Sequence, residues 1–129
     1  YSAEHALKGT RGGTIVLVSP NYEGVGPHKE YPDYMGSDCG DETVRACIAG
    51  QDIGADPLAV AVGNSMSKMR RRRRLIVVSD RISKEDLARC GCEGYGCDDL
   101  QRVIDELLRE QPQARVAALS NGAETLLYR

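Results

Sequence analysis

The sequence predicts an α/β domain of three layers, a mostly parallel sheet with helices on both faces, Rossmann-like and incomplete. Two unbroken runs, Thr14-Ile15-Val16-Leu17-Val18 and Leu75-Ile76-Val77-Val78, carry most of that prediction. A strand covered on both faces loses the in-out alternation and reads as a continuous β-branched or Leu segment. Helical stretches separate the runs, and strands alternating with helices imply crossover connections in a parallel sheet.

Each element has its own signal. Residues 2–8 place Ala3, Ala6 and Leu7 on one side of a helical wheel, and Gly9 with Gly12-Gly13 ends the pattern. After Val18, the stretch Ser19-Pro20-Asn21-Tyr22-Glu23-Gly24-Val25-Gly26-Pro27 reads as an irregular loop at a strand's C-terminal end. Residues 41–49 have helical spacing at Val44, Cys47 and Ile48, with acidic residues in the first turn, where the helix dipole favours them. Asp56-Pro57 supplies an N-cap and an N1 proline for a helix to about Arg70, with Leu58, Val62, Met66 and Met69 as its apolar stripe. Ser83, three residues before Asp86, opens another helix that ends near Cys90-Gly91. Asp98-Asp99 are expected to cap a long amphipathic helix through Glu110, whose inner side is Leu100, Val103, Ile104, Leu107 and Leu108. Ala114 to Leu119 then reads as a third strand. Three strands are fewer than the about 5 or 6 of an ordinary sheet, so the chain is expected to be part of a larger protein.

Bulk properties narrow the classes. At 129 residues there is room for one core, and 41% apolar with 28% charged residues is ordinary globular usage. No apolar run approaches the ~20 residues of a membrane helix, and no basic segment leads into an apolar one as in a secretion signal. Five cysteines, an odd number, fit reduced thiols in a cytoplasm better than a paired secreted framework. A net charge of −2 gives no general attraction to nucleic acid. There is no Phe and no Trp, so Val, Ile, Leu, Ala and Met must fill the core, and the six Tyr are the only aromatic rings.

Several segments could carry chemistry. Ligands of open α/β sheets bind beyond the C-terminal ends of strands, which singles out the loop after Val18. There Gly24 and Gly26 allow close backbone approach, and Tyr22, Glu23, His28 and Lys29 offer polar tips. The same composition also suits a solvated connection. Glu23-Gly24-Val25-Gly26 is not a dinucleotide fingerprint, which needs three glycines leading straight into a helix. Of the two histidines, His28 in the loop is the better acid or base than His5 on a helix. Cys90, Cys92 and Cys97 put three thiols within eight residues, a loop that could wrap a soft metal or simply lie reduced at the surface. Arg70 to Arg74 could meet RNA phosphates, or could serve a helix C-terminus and the strand that follows. An α/β binding module built on that cysteine loop or that arginine cluster is therefore the rival to an enzymatic reading.

One resemblance covers the whole chain. Ala6-Leu7-Lys8, Gly12-Gly13-Thr14-Ile15-Val16-Leu17-Val18 and Glu23-Gly24-Val25-Gly26 resemble the strand-entry signature of the C-terminal domain of the lactate racemase family. The basic helix end, Leu75-Ile76-Val77-Val78-Ser79-Asp80 and Asn121-Gly122-Ala123-Glu124-Thr125 follow in similar order. The resemblance implies a racemase or epimerase of 2-hydroxy acids that uses a nickel-pincer nucleotide, with hydride removed from and returned to the α-carbon and histidines as acid and base. It also implies that the N-terminal domain of the same protein holds the cofactor and the catalytic and nickel-binding residues, so no catalytic or metal residue is assigned within this chain. An aromatic-Gln-x-x-Lys motif of the family would fall before Tyr1. Departures are Gly9-Thr10 ahead of the glycine pair, and Ala55-Asp56-Pro57 where members often carry His-Lys. On this reading Glu23, Gly24, Gly26, His28, Tyr31 and Asp56 line the inter-domain cleft. The isolated chain is expected to be inactive, with the N-terminal domain and a small 2-hydroxy acid as partners, no nucleic acid, no membrane, and an open sheet edge that offers a surface for a homodimer.

Overall fold

The computed structural model describes residues 2–9, 12–38 and 40–125. Three parallel strands, β1 (Thr14–Val18), β2 (Arg74–Val78) and β3 (Glu93–Tyr95), lie in the spatial order β1-β2-β3. β1 and β2 match from Thr14 opposite Arg74 to Val18 opposite Val78, and Ile76 to Val78 match Glu93 to Tyr95. Six α-helices accompany them among the described residues: α1 (Ser2–Gly9), α2 (Tyr31–Gly36), α3 (Gly40–Ile48), α4 (Pro57–Arg70), α5 (Lys84–Arg89) and α6 (Leu100–Glu110). The α/β class read from the sequence is the class observed.

Alternate residues of the strands face two cores. Ile15, Leu75 and Val77, with Leu17 beside them, pack against Ala3 of α1, Met35 of α2, Met69 of α4 and Leu87 of α5. Ile76 and Val78, with Val16 and Tyr95, pack against Val103, Leu100 and Leu107 of α6. Helices on both faces explain why β1 and β2 read as unbroken apolar runs. The loss of Ile76, 1% exposed, as Ile76→Ala is expected to cost about 2–5 kcal/mol of stability in urea unfolding.

Local signals set the helix starts. Asp56 Oδ1 accepts from the Leu58 N–H at 2.9 Å, with Pro57 in the first turn, so α4 begins where expected. Ser83 Oγ accepts from the Asp86 N–H at 3.0 Å and caps α5. Ser83→Ala should lower stability by about 1 kcal/mol, readable as a urea midpoint shift. Asp98 and Asp99 act differently from expectation. A 3-10 turn, Cys97–Asp99, leads into α6, and Asp99 makes no side-chain cap but pairs with Arg102 at 2.9 Å.

Three expectations are corrected. Ala114–Leu119 forms no strand, and residues 114–118 are exposed, because only Val116 and Leu119 offer large apolar surface. The third strand is β3, inside the cysteine-rich stretch. Gly94 makes it fit, since a Cβ there would come 2.3 Å from Leu87 Cδ1, and Tyr95 O accepts from the Ser79 N–H at 2.9 Å. Second, the buried face of α4 is Ala59, Val60, Gly63, Asn64, Ser67 and Met69. Leu58 and Val62 are 51% and 44% exposed. α2 lies so close to α4 that a Cβ on Gly63 would sit 2.6 Å from Tyr34 Cβ, a spacing that excludes large side chains. Third, α2 forms where no helix was expected, with Pro32 in its first turn. The side chain of Leu7, Thr10 and Cys39 lie outside the described residues.

Candidate functional site

In a crossover the helix runs back against its strands, so the loop after β1 and the start of α4 meet at the C-terminal edge of the sheet. The loop leaves β1 with the Ser19 N–H on Val78 O at 3.2 Å. Asn21, with φ 43°, turns the chain, and its Nδ2 donates to Ser19 O at 3.2 Å. Gly24 N–H donates to Asn21 O at 2.8 Å and Gly26 N–H to Glu23 O at 3.0 Å. Gly24 and Gly26 have φ 61° and 76°, left-handed conformations that glycine adopts without strain. The loop rests on the end of β2, where a Cβ at Gly24 would lie 3.5 Å from Arg81 O.

From this loop His28 Nδ1 makes a hydrogen bond to Asp56 Oδ2. The two carboxylate oxygens of Asp56 divide their work: Oδ1 caps α4 and Oδ2 holds the imidazole. The Asp56 N–H in turn donates to Glu30 Oε2 at 2.8 Å, so a second carboxylate from the loop fixes the backbone under the pair. His28 and Asp56 remain 40% and 36% exposed, leaving the pair open to a ligand. The His28 hydrogen bond, followed by the N–H groups of Leu58 and Ala59, outweighs desolvation and holds the Asp56 carboxyl below the usual aspartate range. A carboxylate on one imidazole nitrogen orients the ring and leaves the other nitrogen to exchange protons.

That lowered value has a sign. A carboxyl depressed in the folded state contributes stability at pH above its unfolded value, about 4, and loses it as pH falls through the folded value. The difference in urea midpoint between wild type and Asp56→Asn, which keeps a capping oxygen, should therefore shrink as pH drops below about 4. A difference constant down to the acid limb would contradict the pairing.

The remaining expected residues are placed as follows. Glu23 is exposed on the glycine turn beside His28's loop. Tyr31 turns away from it: its hydroxyl donates to Met35 Sδ at 3.1 Å, and burial pushes its phenol above the ordinary range. Glu30 has no sequence signal, because its contact with Asp56 spans 26 residues.

The cysteines are divided by β3. Cys90 and Cys92 sit at the C-terminus of α5, whereas the Cys97 N–H donates to Asp80 Oδ1 at 2.8 Å, at the strands' C-terminal edge. Among the described residues no group of three or more His, Cys, Asp or Glu side chains is placed to hold a metal ion.

The arginine run is largely committed to internal partners. Arg70 donates to Met35 O and Gly36 O at 3.1 and 3.2 Å, where cations suit the C-terminus of α2. Arg71 pairs with Asp38 at 3.3 Å, and Arg74 binds Glu93 through two nitrogens and Glu110 at 2.7 Å.

Fold and site together define an α/β domain with a three-stranded parallel sheet and a histidine–carboxylate pair that joins the loop after β1 to the start of α4. No helix among the described residues is long and apolar enough to cross a membrane. No protein-family model matches the chain, and no curated protein does.

Proposed function

We propose that this chain is the cleft-lining C-terminal domain of a cytoplasmic 2-hydroxy acid racemase or epimerase of the lactate racemase type. The observation that carries the reading is the His28–Asp56 pair, held at the strand ends beside the Glu23-Gly24-Val25-Gly26 turn. Racemisation of a 2-hydroxy acid needs a base to take the hydroxyl proton and an acid to return it. An imidazole steadied by a carboxylate supplies both. Gly24 and Gly26, bare of Cβ, let the loop backbone approach a small carboxylic acid closely.

The nickel-pincer nucleotide does not fit this chain alone, since no group of three or more His, Cys, Asp or Glu side chains among its described residues is placed to hold nickel. On this reading the N-terminal domain of the same protein holds the cofactor, and no hydride step is assigned to the residues described above. Their part is to bind the acid and exclude water, and His28 Nε2, beyond the catalytic histidines that the resemblance places in the N-terminal domain, is proposed to move the hydroxyl proton.

The reading is tested by chiral chromatography of a single 2-hydroxy acid enantiomer. The isolated chain should leave it unchanged, and the cofactor-loaded two-domain protein should racemise it. Racemisation by the isolated chain would overturn the proposal.

A further inference from the structure

A cluster of sulfur side chains lies away from the His28 edge, where α2, α4 and α5 pack on one face of the sheet. α5 ends in two characteristic hydrogen bonds, Cys92 N–H to Leu87 O at 3.0 Å and Gly91 N–H to Ala88 O at 2.9 Å. With Gly91 at φ 67° this is the left-handed glycine stop of a helix, which folds the chain back on itself. Its consequence is chemical: the residues on either side of the glycine are both cysteines, and both turn inward. Cys90 is buried in the same core cluster as Met35, and Cys92 packs against that cluster with its Sγ 3.7 Å from Cys90 O. From α2, Tyr31 Oη donates to Met35 Sδ at 3.1 Å, so a half-buried phenol takes a thioether as its partner.

We propose that Cys90, Cys92 and Met35 form a site for one soft monovalent cation, copper(I). Two thiolates and a thioether are the donor set that selects copper(I) over harder cations, which prefer oxygen. Zinc would require a fourth ligand, and no third His, Cys, Asp or Glu is grouped with the two thiols among the described residues. Binding balances as follows: each thiol releases its proton to solvent, two thiolate–Cu bonds and one thioether–Cu bond form, and the complex carries one net negative charge.

Arg70 stands ready to offset that charge. A Cβ on Gly91 would lie 3.0 Å from Arg70 Cδ and 3.1 Å from its Nε, so the guanidinium end of the side chain lies over the turn. In the metal-free protein burial pushes the Cys90 thiol up to about 12 and raises Cys92 as well, while Arg70 acts the other way on Cys92.

The test is an anaerobic titration of the fully reduced chain with copper(I) against a chromophoric chelator such as bicinchoninate. One equivalent should be withdrawn by the wild type. Cys90→Ala and Cys92→Ser should each bind about 10- to 100-fold more weakly, and Met35→Leu, which conserves volume, should be weaker by about tenfold. Cys47→Ser and Cys97→Ser should bind as wild type. Because Cys90 is buried and its variant could lose the fold, Cys92→Ser with an unchanged thermal melt carries the comparison. Unchanged affinity in Cys92→Ser or in Met35→Leu, or no uptake of one equivalent by the wild type, overturns the site.

Discussion

Gly36→Ala is expected to unfold the helical face of the domain. Gly36 closes α2 directly beneath the last turn of α5, and a Cβ there would stand 1.8 Å from the Arg89 carbonyl oxygen and 3.0 Å from its carbon. Both obstacles are backbone, so no side chain can swing aside. α2 and α5 would have to separate, which breaks the Arg89 fork on Asp33 at 2.9 and 2.7 Å and the Arg70 bond to Gly36 O. Overpacking of that kind costs about 3 kcal/mol or more, a large part of a small domain's stability. Gly50→Ala is the control: φ is 76° but nothing lies within 4 Å of an added Cβ, so only backbone strain of about 1 kcal/mol applies. Urea unfolding of the two variants separates the effects. A wild-type midpoint for Gly36→Ala would mean that α2 and α5 do not pack as described.

The second large effect concerns activity. In the proposed two-domain racemase, His28→Gln should lower kcat by about 10²- to 10⁴-fold, the usual contribution of a positioned acid-base group. Asp56→Asn should act more mildly and mainly on kcat, because asparagine can still cap α4 while the imidazole loses its charged anchor. Tyr31→Phe should retain near wild-type turnover, since its hydroxyl donates to Met35 Sδ. Steady-state kinetics on the three variants gives the ranking. Equal losses for Tyr31→Phe and His28→Gln would assign the proton transfer elsewhere.

What the sequence could reveal was local. β1 and β2 stood out because burial on both faces removes polar positions from a strand, and α4 and α5 because Asp56-Pro57 and Ser83 are chemical starting signals that depend only on neighbouring residues. β3 was hidden, because Glu93-Gly94-Tyr95 has no apolar run and exists by packing under Leu87 and pairing with β2. The inner face of α4 was hidden for a related reason. Its periodicity favoured Leu58 and Val62, yet the proximity of α2 decides which residues fit, and that selects Gly63 and Ser67.

The candidate site divides in the same way. The glycine turn was legible, since Gly24 and Gly26 are needed for their own backbone angles. His28 and Asp56 were each singled out by position, but their hydrogen bond spans 28 residues and exists only because the sheet brings the loop to the start of α4. Glu30, beneath the pair, left no trace in the sequence at all. Cys90, Cys92 and Cys97 read as one loop, and β3 separates buried Cys90 and half-buried Cys92 from exposed Cys97, whose backbone N–H donates to Asp80.

The central claim is that His28 and its loop serve proton transfer in the inversion of a 2-hydroxy acid. It is tested most directly by giving the cofactor-loaded two-domain protein one enantiomer of lactate deuterated at the α-carbon. The account predicts racemic product that keeps its deuterium, with the rate collapsing in His28→Gln. Deuterium lost to water, or undiminished racemisation in the variant, would contradict it.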